Sequence, residues 1–348
     1  MESKRVLYLD ILKVIASLAV VFIHAAASKW YVLPVGSTEW SFLNLVNVLT
    51  RYSVPLFVMV TGVIMLQPSK NLSFNLLIKK YVFKALLFFY IGSSLFALAS
   101  FFTDPHTYST FEVLQQFVYR TVKGPSHLWY LFMIAGLYLI TPFIKKITDH
   151  DPKLTLSFVV LAFVVNSIMH LNLIFEIDTV FLYTGYFNIT LGTGFAMYYV
   201  WGFYLSEAVL SKKIKRLIHS VALISLPATY VLTQIYSIKT GKAFENFYGY
   251  LLPTIFFMAT SLFVLMKDSE QIFKSLPKRV IRTITDLSKV NLIIYIIHPL
   301  MITLISPFLS TFKLTFVPYI LLLGLISYLL SSGLALALKR IPVLGKWI

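Results

Sequence analysis

A chain of 348 residues that is 58% hydrophobic and only 13% charged lies far outside the composition of soluble globular domains and reads as a polytopic membrane protein. The net charge of +16 does not indicate nucleic acid as a partner, because Lys and Arg gather in alternate loops and not along one exposed face. Cysteine is absent, which excludes a disulfide framework, a thiolate nucleophile and a cysteine metal site.

Hydrophobic windows of about 20 residues predict an all-α integral membrane protein of about ten transmembrane helices. The predicted spans cover residues 6–27, 44–66, 81–102, 128–144, 154–173, 191–210, 217–236, 250–266, 288–305 and 315–338. With the N-terminus on the cytoplasmic side, the inner loops collect Lys70, Lys79, Lys80, Lys145, Lys146, Lys153, the run from Lys212 to Arg216, and Lys267 to Arg282. The outer loops carry few cations, interspersed with Glu39, Asp104, Glu112, Glu176, Asp178 and Glu245. This positive-inside bias predicts both termini in the cytoplasm and a multi-pass protein of the plasma (inner) membrane. Connections are short except near 103–127 and 267–287, and no repeat or break in composition divides the chain, so residues 1–348 are expected to form a single membrane domain.

The first span carries Asp10, Lys13, Ser17 and His24 among aliphatic residues. At roughly 100° per residue these four and Ser28 fall within about 60° of one another, as one polar stripe. Lys13 and His24 share that face but stand about 16 Å apart along the axis at 1.5 Å per residue. Ionisable groups at such depth cost about 2.5 kcal/mol or more each when charged, so they face a protein interior or a watery cavity. Lys4, Arg5 and the run Ala25-Ala26-Ala27 imitate a signal peptide, but the apolar stretch is too long and carries charges inside it.

The second span contains Arg51, Ser53 and Pro55. Proline lacks an N–H, which leaves the Arg51 carbonyl without its helical partner and predicts a polar pocket there; an Arg snorkelling to the headgroups is the simpler alternative. The fourth span opens with His127, Trp129 and Tyr130, where a substrate platform competes with an interfacial aromatic belt. In the ninth, Ser288, Asn291, Tyr295 and His298 lie within about 80° of one face, a second stripe to oppose the first unless it serves helix-to-helix bonding. Pro299 frees the carbonyl of Tyr295 as Pro55 frees that of Arg51. His106, His150, His170 and His219 fall in loops or at span ends, and no histidine spacing matches a metal motif, so no metal site is expected.

A His and an Arg in one half of the membrane, with a Lys and an Asp deeper in the other, suit group transfer across the bilayer. A neutral His24 takes a proton from an attacking hydroxyl, Arg51 steadies an oxyanion, and Lys13 with Asp10 and Ser17 holds an anionic donor. The same stripes suit a transporter or flippase for a polar solute or glycan precursor.

These motifs together resemble the acyltransferase 3 family of integral-membrane acyltransferases along nearly the whole chain. The family's first-helix signature, Asp-x-x-Arg followed by ten residues and His, is similar to Asp10, Lys13 and His24, with Lys in place of Arg. Arg51 to Phe57 with Gly62 resembles the second-helix motif, His127 to Tyr130 the fourth-helix one, and Ser288 to Tyr295 with His298 the late one. The resemblance implies O-acetyl transfer from cytoplasmic acetyl-CoA, a co-substrate and not a bound cofactor, to a hydroxyl of a cell-envelope polysaccharide or lipid-linked glycan. His24 is the essential residue it implies. Ser53, His127, Trp129, Tyr130, Ser288, Asn291, Tyr295 and His298 are expected to line the substrate.

Overall fold

Apolar runs that cross a bilayer must close their backbone hydrogen bonds internally, and the helix does so within one segment. The computed structural model describes residues 5–102, 106, 108–149, 151–175 and 194–345, and every regular element among them is a helix. In chain order the main ones are α1 (Leu7–Trp30), α2 (Thr38–Thr50), α3 (Ser53–Met65), α4 (Phe83–Phe101), α5 (Thr110–Lys123) and α6 (Trp129–Thr148). They continue with α7 (Pro152–Phe175), α8 (Ala196–Glu207), α9 (Lys212–Thr240), α10 (Pro253–Asp268), α11 (Lys278–Ser310) and α12 (Phe316–Arg340). Among the described residues nine helical segments are long and apolar enough to span a bilayer, so the chain is a multi-pass membrane protein. The predicted span 191–210 corresponds to α8, and its residues 191–193 lie outside the described residues.

The described residues divide into two compact units, one from the stretches 5–67, 151–175 and 194–345, the other from the stretch 68–149. In the first unit α1 packs against α2, α3, α11 and α12. Its first turn begins without a side-chain cap from Val6. Glu270, on the short helix Glu270–Lys274, accepts from the backbone N–H of Leu7 at 3.2 Å and of Tyr8 at 2.7 Å. A carboxylate there satisfies orphan donors and complements the positive end of the helix dipole. Where α3 crosses α8 the backbones nearly touch: a Cβ at Gly62 would sit 1.8 Å from the Tyr199 carbonyl oxygen, and one at Gly202 2.2 Å from that of Met59. Only glycine permits so close a crossing.

The second predicted span is two helices. The chain turns at Arg51-Tyr52 between α2 and α3, and the first bond of α3 runs from Leu56 N–H to the Tyr52 carbonyl at 3.0 Å. Pro55 is the cause, since it offers no N–H to the Arg51 carbonyl and its ring would collide there. The ninth predicted span begins ten residues early, at Lys278 and not 288, because a hydropathy window sees only the apolar part of a helix that opens with Lys278, Arg279, Arg282 and Asp286.

In the second unit α4 packs against α5 and α6. The long connection predicted near 103–127 holds a helix, α5, whose mixed charged and apolar residues escape a span-length window. Ser109 and Glu112 close a reciprocal capping box at its start. Arg120 anchors it by donating to Ser100 Oγ at 2.6 Å and Tyr108 OH at 3.1 Å, with its guanidinium 4.9 Å from the Phe101 ring.

Candidate active site

The two polar stripes read from the sequence face each other, because α1 packs along α11. Near the start of α1 the Asp10 carboxylate is buried and pairs with Arg5 Nε on one oxygen. Its other oxygen accepts from Ser288 Oγ at 2.5 Å and lies 3.6 Å from Lys13 Nζ. Lys13 also donates to Ser288 Oγ at 3.2 Å, so the three side chains close a triangle between the helices. Arg5 reaches the Thr285 carbonyl at 3.4 Å, beside Asp286, which has Lys289 at 3.5 Å, Lys339 at 3.8 Å and Arg282 at 3.9 Å. Cations therefore outnumber carboxylates at this end of α1, and an anionic group has several partners there.

Eleven residues further along α1, about 16 Å at 1.5 Å per residue, His24 meets His298 of α11. Their ring centroids are 4.9 Å apart at 58°, and the Tyr295 ring lies 6.1 Å from that of His298. His298 is buried, with Nδ1 3.1 Å from the Ile294 carbonyl. A carbonyl oxygen only accepts, so Nδ1 carries the hydrogen and Nε2 is the basic nitrogen of the neutral ring. His24 is half-buried, which leaves part of the ring reachable.

Arg51 occupies the break between α2 and α3. Its guanidinium carbon sits 4.5 Å from the Tyr248 ring centroid and 6.0 Å from that of Tyr250, and Nη2 donates to Asn47 Oδ1 at 3.0 Å. Arg51 Nε is buried and meets no hydrogen-bond acceptor among the described residues. Tyr248 is held in turn by its bond to Asn44 Oδ1, while Asn44 Nδ2 donates to the Tyr230 carbonyl and Gln234 Oε1, each at 3.1 Å. The Trp30 ring, stacked on Trp40 at 4.4 Å, packs 5.7 Å from Tyr248 and joins the end of α1 to this layer. Arg51 is therefore engaged inside the protein and does not merely extend toward headgroups.

The remaining predicted residues divide between the two units. Ser17 donates back to the Val14 carbonyl at 2.9 Å, Ser53 is buried, and Asn291 is half-buried on α11. His127, Trp129 and Tyr130 belong to the second unit, where buried His127 rests against the Phe96 ring at 4.8 Å and Trp129 stays 40% exposed. Sequence reading missed Arg5, Glu270, Asn44, Asn47, Tyr248 and Tyr250. Asn47 alone had a local signal, four residues before Arg51 and hence on the same face of a helix.

A family model described as an acyltransferase domain matches residues 6–336, which takes in every motif above. The chain belongs to the acyltransferase 3 family. It is thus a membrane acyltransferase, with an acyl donor and an acceptor as its substrates, and the family match favours group transfer as the use of the stripes. No curated protein sequence and no solved structure matches the chain at a significant level. The arrangement offers what group transfer requires: a basic end of α1 with several partners for an anionic group, and further along α1 an imidazole pair, His24 of α1 with His298 of α11.

Proposed function

We propose that the protein is an O-acetyltransferase of the plasma (inner) membrane, with both termini cytoplasmic. It transfers acetyl from cytoplasmic acetyl-CoA to a hydroxyl of a cell-envelope polysaccharide or its lipid-linked precursor. The observation that carries this reading is the pairing of α1 with α11, which sets the Asp10–Lys13–Ser288 triangle and the His24–His298 pair on one interface. In this reading the run of motifs from Asp10 to Tyr130 resembles that of the O-acetyltransferase of enterobacterial common antigen.

In this mechanism Lys13, with the other cations at the start of α1, holds the phosphates of the donor. His24 takes the proton of the acceptor hydroxyl as its oxygen attacks the thioester carbonyl. Arg51 stabilises the charge that develops on the carbonyl oxygen, in a setting where water is scarce and such a contact counts most. When the tetrahedral intermediate collapses, the C–S bond breaks, the new C–O ester remains on the acceptor, and His24 returns its proton to the departing thiolate. His298 acts as a positioning residue that orients the His24 imidazole, while Asn291 and Tyr295 line the acceptor.

The test is mass spectrometry of cell-envelope glycans from cells fed labelled acetate, carrying the wild type, His24→Ala or no copy. A labelled acetyl ester found only with the wild type, at equal membrane expression, supports the assignment. Identical glycan profiles in all three strains would overturn it.

A further inference from the structure

Beyond His24 the same face of α1 stays open toward the end of the helix. Residues 24, 27, 28 and 31 follow one another at helical spacing. His24 is half-buried, Ala27 and Ser28 are exposed, and Tyr31 is 70% exposed. This strip ends at a cavity of about 430 Å³ walled by Trp30, Tyr31, Pro34, Val35 and Lys242. Pockets for small organic ligands run to roughly 300–1,000 Å³, so the cavity is large enough for one. Trp30 at its base stacks on Trp40 and is 1% exposed, which makes the floor rigid. Gly36, at φ +83°, packs beside Ile238 and holds the loop after α1 against the end of α9, where Gly241 at φ +64° turns the chain toward Lys242.

The lining is specific in its chemistry. Partial loss of solvent, a hydrogen bond to the Glu245 carboxylate and that group's charge raise the Tyr31 pKa to about 12, so the phenol stays protonated and donates to Glu245. Lys242, exposed at the rim, adds an ammonium donor. Glu245, reached through its bond to Tyr31, and Lys242 at the rim set polar groups beside the cavity that do not favour an acyl chain. An exposed aromatic ring with hydrogen-bonding groups beside it suits a polyol, whose C–H face stacks on the ring while its hydroxyls reach the polar groups.

We infer that this cavity is a saccharide subsite, which holds a sugar unit of the acceptor so that a neighbouring unit reaches His24 along the open face of α1. Trp30 is six residues past His24, about 9 Å at 1.5 Å per residue, within the span of a short oligosaccharide. The inference rests on the reading of the acceptor as a glycan. Its consequences concern binding, and so they are separable from transfer.

The experiment places the photo-cross-linking residue p-benzoylphenylalanine at Val32, which is exposed between wall residues Tyr31 and Leu33, in the full chain in cells. Leu223, exposed on the apolar surface of α9, is the control position. After illumination, mass spectrometry of the purified protein is expected to find sugar-bearing adducts at Val32 and none at Leu223, and to lose them when Tyr31→Ala or Lys242→Ala is added. Adducts of phospholipid or peptide alone at Val32, or sugar-bearing adducts equally frequent at Leu223, would overturn the subsite. The same labelling in the His24→Ala background separates the two readings. Sugar adducts there, without any acetyl ester in the wild type, would keep the subsite and reject the transfer. In assays on cell-envelope glycan isolated from cells lacking the protein, Tyr31→Ala is expected to raise the half-saturating glycan concentration about tenfold and leave that for acetyl-CoA unchanged. An equal rise for both substrates would count against a saccharide subsite.

Discussion

Replacing Asp10 with Asn tests whether Lys13 is held in the membrane by that carboxylate. The Asp10 side chain is 4% exposed and that of Lys13 22%, with 3.6 Å between the charged atoms. At an effective dielectric of about 20, Coulomb's law gives an attraction of about 4–5 kcal/mol at that separation. The Arg5 pair adds little, since the Arg5 side chain is 45% exposed and solvent screens it. Asparagine still accepts the Ser288 hydrogen, so the loss comes chiefly from Lys13, left charged without its partner. The expected destabilisation is about 3–5 kcal/mol, read by equilibrium unfolding of the purified protein in mixed micelles. Adding Lys13→Met removes the stranded charge, and the double variant is expected to recover about 2–3 kcal/mol of the loss. If Asp10→Asn and the double variant unfold at the same point, the two charges are not coupled and the account of this layer is wrong.

Gly202→Ala is expected to cost about 1–3 kcal/mol, because its Cβ would meet the Met59 carbonyl at 2.2 Å and a backbone atom cannot swing away. Gly333→Ala, on α12 with nothing within 4 Å of the new Cβ, should instead gain up to about 1 kcal/mol; thermal unfolding in detergent that ranks the two the other way would refute the packing argument. Arg51→Lys keeps the charge but loses the flat stack on Tyr248, so turnover should fall about a hundredfold at unchanged half-saturation by the donor. Turnover within a factor of about two of wild type would show that charge alone suffices. In the second unit, burial and then Lys80 and Lys145 hold the Lys70 pKa below its ordinary 10.5, so folding carries a penalty while Lys70 is charged. Lys70→Gln is therefore expected to stabilise the protein at pH 7. That gain should fade as pH rises from the lowered folded value through 10.5, and no dependence on pH or salt would contradict the cause assigned.

What the sequence made legible is what helical periodicity encodes. Residues Asp10, Lys13 and His24 on one run, and Ser288, Tyr295 and His298 on another, each mark a face by spacing alone, and polar faces in an apolar chain have few places to go except toward one another. Pro55 marked the break at Arg51 by the bond it cannot make. Spacing is silent about partners distant in the chain. Tyr248 and Tyr250 sit in a short connection far from Arg51, and Glu270 lies 262 residues from the Tyr8 N–H it caps. Helix α5 was hidden for a different reason: its charged residues keep its hydropathy low, although its capping box is written plainly in Ser109 and Glu112.

Lys13 stands where the first-helix pattern this chain resembles carries Arg, and the surrounding geometry shows how a lysine fits there. A guanidinium at that point would compete with Arg5 for the same carboxylate, which already receives Arg5 on one oxygen and Ser288 on the other. The compact ammonium of Lys13 needs only the edge of Asp10 and the Ser288 hydroxyl, both within 3.6 Å. The guanidinium beside Asp10 comes instead from Arg5, two residues before the first residue of α1, and α11 provides the Ser288 hydroxyl that links Lys13 to the same acid. A cationic layer built from three segments of the chain keeps its charge while the identity of any single cation changes. The position of His24 relative to that layer is fixed by α1 itself, a single helix without an internal proline.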